Sequence, residues 1–252
     1  MITDVTATGA PAVPLQIRAH LASSTASGAP WGVALDGLLA SELWHDRKAR
    51  RFAQNLPIPH LVDTEVPEDL ALPLARCAGA GGDSWHWAAT CAFPEGAAEV
   101  EVHHWTSRFD HRAAELAVDA LPTIISDRQG RYQARRMPLI TTPARSLVWW
   151  AVGDLAQIRD LLAPIVAIGK KRSHGEGHVQ RWEVQPVADL DPWSAAHLHP
   201  NSTLGRPTPE TCLKGHTIAG DGGPGTAGLR PPYMHPLRQH DLRLPASLET
   251  LR

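Results

Sequence analysis

Gly169-Lys-Lys-Arg-Ser-His-Gly-Glu-Gly-His178 is the stretch around which the chain is read. The residues before it predict an amphipathic helix. Leu155, Ile158, Leu161, Leu162 and Ile165 fall on one helical face. Asp154, with Gln157 three residues on, stands where an N-cap belongs. The residues after it predict a strand over 178–187, with Trp182 and Val184 on one face. Between them lie Gly169, Gly175 and Gly177, the cations Lys170, Lys171 and Arg172, the polar Ser173, His174 and His178, and one acid, Glu176. Glycines free the backbone for positive φ and close approach. Successive amides in such a loop can form an anion-binding concavity, and arginine grips phosphate in a bidentate way. Two readings follow: a cradle for a phosphate backbone, or a basic helix C-terminus closed by a glycine cap. The stretch is not a P-loop, because no Gly-Lys-Ser/Thr closes it. It is not a dinucleotide fingerprint either, because the order is helix, loop, strand.

Outward from this loop, Ser146-Leu-Val-Trp-Trp-Ala-Val152 is a continuous apolar run, the mark of a central strand. Leu15–Leu21 alternates, with Leu15, Ile17, Ala19 and Leu21 inward. Leu35–Gln54 predicts a helix with Arg47, Lys48, Arg50 and Arg51 near its C-terminus. Further strands are predicted over 70–77, 84–91 and 98–105. Asp127–Gly130 predicts a turn. The stretch 106–145 is read as an insertion, and its run from Arg128 to Arg145 has five arginines and no acid. Without the insertion the order is βαββαβ, an α+β, ferredoxin-like (RRM-like) core over 14–190. Residues 191–252 contain nine Pro and seven Gly. They are expected to form an irregular arm packed on the body, with Trp193, Leu198, Leu229, Tyr233, Met234 and Leu237 as anchors.

The 252 residues carry a net charge of -2, so any nucleic-acid site must be a local patch. Arginine outnumbers lysine 20 to 4, which reads as the bias of a GC-rich genome and weakens any argument from arginine alone. The three cysteines, Cys77, Cys91 and Cys212, form no CxxC pair. An odd count argues against a disulfide framework and fits a reducing, cytoplasmic setting. No signal peptide or membrane span is expected.

The ordered set of features resembles the RAMP superfamily of CRISPR proteins, whose ferredoxin-like fold has a glycine-rich loop between its second helix and fourth strand. More narrowly, it resembles the small RAMP subunit of type IV CRISPR effector complexes. The matching residues are Leu15–Leu21 leading to Leu35-Asp-Gly-Leu-Leu-Ala40, Trp85-His-Trp87, Trp105–Asp110, the glycine loop, and Arg230-Pro-Pro-Tyr233. Where relatives often carry an aromatic between the last two glycines, this chain has Glu176. The resemblance implies a non-catalytic RNA-binding subunit with no cofactor. Such a subunit holds the 5′ handle of the crRNA, caps the filament of backbone RAMP subunits and touches the large-subunit equivalent. The RNA contacts it implies are Gly169, Lys170, Lys171, Arg172, Ser173, His174, Gly175, Gly177 and His178. Arg128, Arg131, Arg135, Arg136 and Arg145 join them on an inserted, β-rich thumb.

Three other readings stay open at this level. The first is a metal-independent ribonuclease processing precursor crRNA, drawing on His45, His86, His103, His104, His174 or His178. It needs two such groups converging on one phosphate. The second is a metal site. The pairs His103-His104, His197 with His199, and Cys212 with His216 are candidates, but none has a zinc-ligand spacing, so no metal is expected. The third is a protein-interaction subunit whose nine tryptophans bind neighbours without contacting RNA.

Overall fold

The computed structural model describes residues 1–79, 84–96, 99–110, 112, 114, 116, 126 and 128–248. In chain order the elements are β1 (Val13–Leu21), α1 (Leu35–Ala53), β2 (Arg76–Cys77), β3 (His86–Trp87), β4 (Phe93–Glu95), β5 (Glu101–Ser107) and β6 (Arg135–Thr141). There follow β7 (Ser146–Gly153), α2 (Leu155–Leu162), β8 (Val179–Pro186), α3 (Pro192–His197), α4 (Glu210–Leu213), β9 (Pro224–Gly228) and β10 (Gln239–Arg243). The fold is mixed α/β. Its main sheet has four strands in the order β4-β7-β1-β8, and every neighbouring pair is antiparallel. No helix among the described residues is long and apolar enough to cross a membrane.

The alternation in β1 does what the sequence requires of it. Leu15, Ile17 and Ala19 are fully buried, while Gln16, Arg18 and His20 face the other way and stay partly exposed. Its inward residues pack with Leu35 and Leu39 of α1 and with Ile158 and Leu162 of α2. Asp154 caps α2: its carboxylate accepts from the Gln157 amide at 2.9 Å and from the Gln157 side chain at 3.2 Å. All eight residues of β7 are buried, because the strand is covered on both faces. Leu147, Trp149 and Ala151 join the core under the helices. Val152 packs on the other side against Ala195 and Ala196 of α3. The Trp149 indole N–H donates to the Val33 carbonyl at 2.8 Å, so this tryptophan is buried without an orphan donor.

Between α1 and β7 the sequence expectation needs correction. The long strands read at 70–77 and 84–91 shrink to the two-residue pair β2 and β3. The strand beside β7 is β4, three residues long and centred on Pro94, which lacks the amide needed on a central strand and sits at the sheet edge. The strand read at 98–105 does not enter the main sheet. Ala98 lies outside the described residues, and β5 pairs with β6 in a separate hairpin, Trp105 opposite Met137. Only the end of β5, from Thr106, and the whole of β6 lie within the stretch read as an insertion, of which 111, 113, 115, 117–125 and 127 lie outside the described residues. The expected turn at Asp127–Gly130 is described from Arg128 on. Gly130 has φ +74° and opens a 3-10 turn over Gly130–Tyr132. Residues 80–83, between the strands read at 70–77 and 84–91, also lie outside the described residues.

Residues 191–248 are held to the rest by buried arginines. Arg206 donates to the carbonyls of Trp87 and Ala89 through Nη1 and to Leu229 through Nη2. Its guanidinium lies 3.6 Å from the buried carboxylate of Asp36. The Tyr233 hydroxyl donates to the other Asp36 oxygen, and the Tyr233 ring packs against Gly37. Arg230 and Arg238 both donate to Asp69, at 3.0 and 2.6 Å. Leu229 is fully buried, whereas Met234 and Leu237, grouped with it as anchors from the sequence, are exposed. Arg206→Ala leaves a buried carboxylate and three carbonyls without their cation. We expect chemical denaturation to show a loss of about 3–5 kcal/mol. Arg47→Ala, which breaks the exposed pair with Glu68, is expected to cost less than about 1 kcal/mol.

Candidate nucleic-acid interface

The glycine loop is folded onto the segment that follows β1. Lys170 N–H donates to Ala26 O and Gly177 N–H to Ser24 O, both at 2.7 Å. His178 N–H donates to Ser23 Oγ at 2.9 Å, and Ser23 Oγ donates to Gly175 O at 2.7 Å. Inside the loop, Lys171 adopts left-handed backbone (φ 58°) and leads into a 3-10 turn over Arg172–His174. That turn is closed by His174 N–H to Lys171 O and Gly175 N–H to Arg172 O. Two of the glycines are needed sterically. Gly169 (φ +87°) and Gly177 (φ +67°) lie so close to the Ala26 and Ile168 carbonyls that a Cβ at either would overlap them. A Cβ on Gly175 would meet nothing.

This stitching changes the chemistry expected of the loop. The amides of Lys170, His174, Gly175, Gly177 and His178 are engaged inside the protein, so they do not form an amide cradle for phosphate. Lys170, Arg172, Ser173, His174 and His178 are exposed, and Lys171 is half-buried.

The hairpin docks beside this loop. Lys171 Nζ sits 3.2 Å from the centroid of the Trp105 ring on β5, a cation–π contact. His174 meets the same ring edge-on at 5.8 Å. Two residues before Trp105, His103 bonds through Nδ1 to Glu176 at 2.7 Å and through Nε2 to Glu101 at 3.1 Å. Glu176 therefore points inward and is nearly buried. It ties the loop to the hairpin, while the aromatic at the site is Trp105, contributed from another element. Sequence reasoning left His103 and Trp105 unconnected to the loop. The signal for them was the alternation in β5, which puts positions 103 and 105 on one face.

The arginines read with the loop divide by position. Arg135 pairs with Ser107 across the hairpin, in register with the face carrying His103 and Trp105; Arg136 pairs with Thr106 on the opposite face. Both are exposed, as is Arg128. The Arg135 guanidinium donates to Gly130 O at 3.1 Å. The Arg131 side chain lies outside the described residues. Arg145 stands at the same end of the sheet as the loop, its carbonyl accepting from the amide of Leu21 and its stem packed on Gly96. Of the histidines considered for cleavage, His103 and His174 come to the loop–hairpin junction. His178 is exposed at the loop's end, His104 on the far face of β5, and His45 on α1. His86 is fully buried elsewhere.

Comparison with known families matches residues 13–238 to the family described as CRISPR type IV associated protein Csf3. The chain belongs to this family. The match runs from β1 to the 3-10 turn at Pro236–Arg238, and so takes in the sheet, the hairpin, the glycine loop and the arginines that fix the arm. A comparison with curated proteins finds no match.

His103 is held above its ordinary value of 6.5 mainly by the hydrogen bond to Glu176; burial opposes this, and the weaker hydrogen bond to Glu101 adds to the rise. The sign follows from the charge. The His103–Glu176 pair is fully formed below the unfolded histidine value and is lost as pH rises through the raised folded value. In an NMR titration His103 is expected to have its midpoint above 6.5, and Glu176→Gln to bring it down. A midpoint that Glu176→Gln leaves in place removes the pair from the site.

Proposed function

We propose that the chain is a non-catalytic RNA-binding subunit of a type IV CRISPR ribonucleoprotein. In this reading it holds the 5′ handle of the crRNA, caps the filament of backbone RAMP subunits and contacts the large-subunit equivalent. The family match supports the setting. The path β1-α1-β4-β7-α2-β8 with sheet order β4-β7-β1-β8 supports the ferredoxin-like reading of a βαββαβ unit, with 14–190 as body and 191–252 as arm. The β5–β6 hairpin is the thumb. Three buried thiols fit a reducing, cytoplasmic compartment.

The observation that carries the proposal is the junction of loop and hairpin, where Lys171 lies over the Trp105 ring and His174 meets its edge, with Lys170 and Arg172 exposed on either side of Lys171 in the loop and Arg135 on the same face of the hairpin as Trp105. Single-stranded RNA is bound by this combination, cations along the backbone and an aromatic on which a splayed base stacks. A stacked base and Lys171 would share the Trp105 ring. Phosphates would meet side chains rather than the engaged amides.

Binding of a labelled repeat-derived RNA, followed by fluorescence anisotropy across a salt series, tests this. Lys170→Ala/Lys171→Ala/Arg172→Ala is expected to weaken binding at least about tenfold and to lower the salt slope by about 2, at roughly 0.7 per lost phosphate contact. Trp105→Ala is expected to cost about 1–3 kcal/mol. Unchanged affinity and slope would remove the loop from the interface. A site-specific cut in the same RNA in EDTA would overturn the non-catalytic part.

A further inference from the structure

Four side chains from four elements converge where the arm meets the body: Cys77 of β2, His86 of β3, His197 at the end of α3 and Cys212 of α4. All four are buried, and their donor atoms lie within 4.8 Å of one another. The two sulfurs are 3.8 Å apart and the two Nε2 atoms 3.3 Å apart. A tetrahedral zinc ion has Zn–S bonds of about 2.3 Å and Zn–N bonds of about 2.05 Å, so its ligand edges are about 3.8 Å between sulfurs and about 3.3 Å between nitrogens. Both observed edges agree with these.

Hydrogen bonding at the back of each imidazole supports the same conclusion. His86 Nδ1 lies 2.9 Å from the Trp87 carbonyl, and His197 Nδ1 lies 2.8 Å from the Trp193 carbonyl. A carbonyl accepts only, so each Nδ1 must carry its proton. Both rings are fully buried, an environment that favours the neutral imidazole. Each Nε2 then bears a lone pair, and the two lone pairs face each other at 3.3 Å. Moving a proton to one Nε2 relieves that clash but turns the opposite nitrogen's lone pair onto a carbonyl oxygen. A cation between them satisfies both. Backbone carbonyls fixing the outer nitrogens of ligating histidines are a usual supporting shell of zinc sites.

We infer that Cys77, His86, His197 and Cys212 form a structural zinc site that clamps the arm to the body. Two thiolates balance the charge of Zn²⁺, so the buried centre has no net charge. Four protein ligands leave no open position, which makes the site structural rather than catalytic. The indole of Trp193 stacks on His197 at 4.8 Å and donates to the Cys212 carbonyl at 3.0 Å. A cleft of about 350 Å³ lined by residues including Met1, Trp193 and His216 reaches both cysteines and gives the ion a way in. The cysteines are 135 residues apart and the histidines 111, so no zinc spacing appears along the chain. Of two pairs considered in the sequence, His197 and Cys212 enter the site but their partners do not: His199 packs on Phe93, and His216 stacks on Trp193.

The test is elemental analysis of the full-length chain, alone or with co-expressed partners, produced in zinc-supplemented medium. One zinc per chain is expected, with X-ray absorption showing two sulfur and two nitrogen ligands. Chelation after thiol modification is expected to remove the zinc and lower Tm. Cys77→Ser and Cys212→Ser are expected to lose the metal, while Cys91→Ser keeps it. Should the serine variants fail to fold, His86→Cys preserves four ligands and is expected to keep zinc with three sulfurs and one nitrogen. Zinc well below one equivalent, a Cys77–Cys212 disulfide in its place, or a zinc content and ligand set unchanged in His86→Cys would overturn the assignment.

Discussion

The contact between Arg206 and Asp36 is the constraint on which the arm's placement rests. Both are completely or almost completely buried, and a buried charge is stable only with an opposite charge and hydrogen bonds close to it. Neither requirement can be met locally. Asp36 lies in the first turn of α1, Arg206 is 170 residues further on, and the remaining donors and acceptors come from Trp87, Ala89, Leu229 and Tyr233. The network therefore has its partners only when helix, edge segment and arm are assembled together. Arg230 and Arg238 repeat the pattern on Asp69. A segment rich in proline and glycine, with little regular structure, is thereby held in a defined place. Two of the sequence motifs behind the family resemblance, Leu35–Ala40 and Arg230–Tyr233, meet in this network, which gives them a structural role apart from RNA.

Periodicity made the larger elements readable. β1, α1, β7, α2 and β8 fall close to their expected positions because each carries a pattern imposed by burial: alternation, a helical stripe, or an unbroken apolar run. Patterns fail where burial is not the organising force. β4 has three residues and a central proline, and is a strand only because β7 offers it an edge. β6, Arg-Arg-Met-Pro-Leu-Ile-Thr, is exposed along most of its length, so nothing in its composition marks its pairing with β5. The cysteine–histidine cluster could not be found from spacing, because its members are brought together by packing of the arm.

The loop was legible in composition but less so in chemistry. Its glycines suggested exposed amides, yet Gly169 and Gly177 serve close approach to carbonyls of Ala26 and Ile168. Its one acid stands where relatives often carry an aromatic. In the folded chain Glu176 holds His103, and through it the strand that presents Trp105.

The same stitching has a thermodynamic consequence. Fixing one residue's backbone costs roughly 1–2 kcal/mol of conformational entropy at room temperature. In a loop that ordered itself only on meeting its ligand, that loss would be subtracted from affinity across ten residues. Here the hydrogen bonds to Ser23, Ser24 and Ala26 incur it during folding. In the proposed RNA-binding role, only the long side chains of Lys170 and Arg172 would be left to immobilise, on a backbone whose shape is already set.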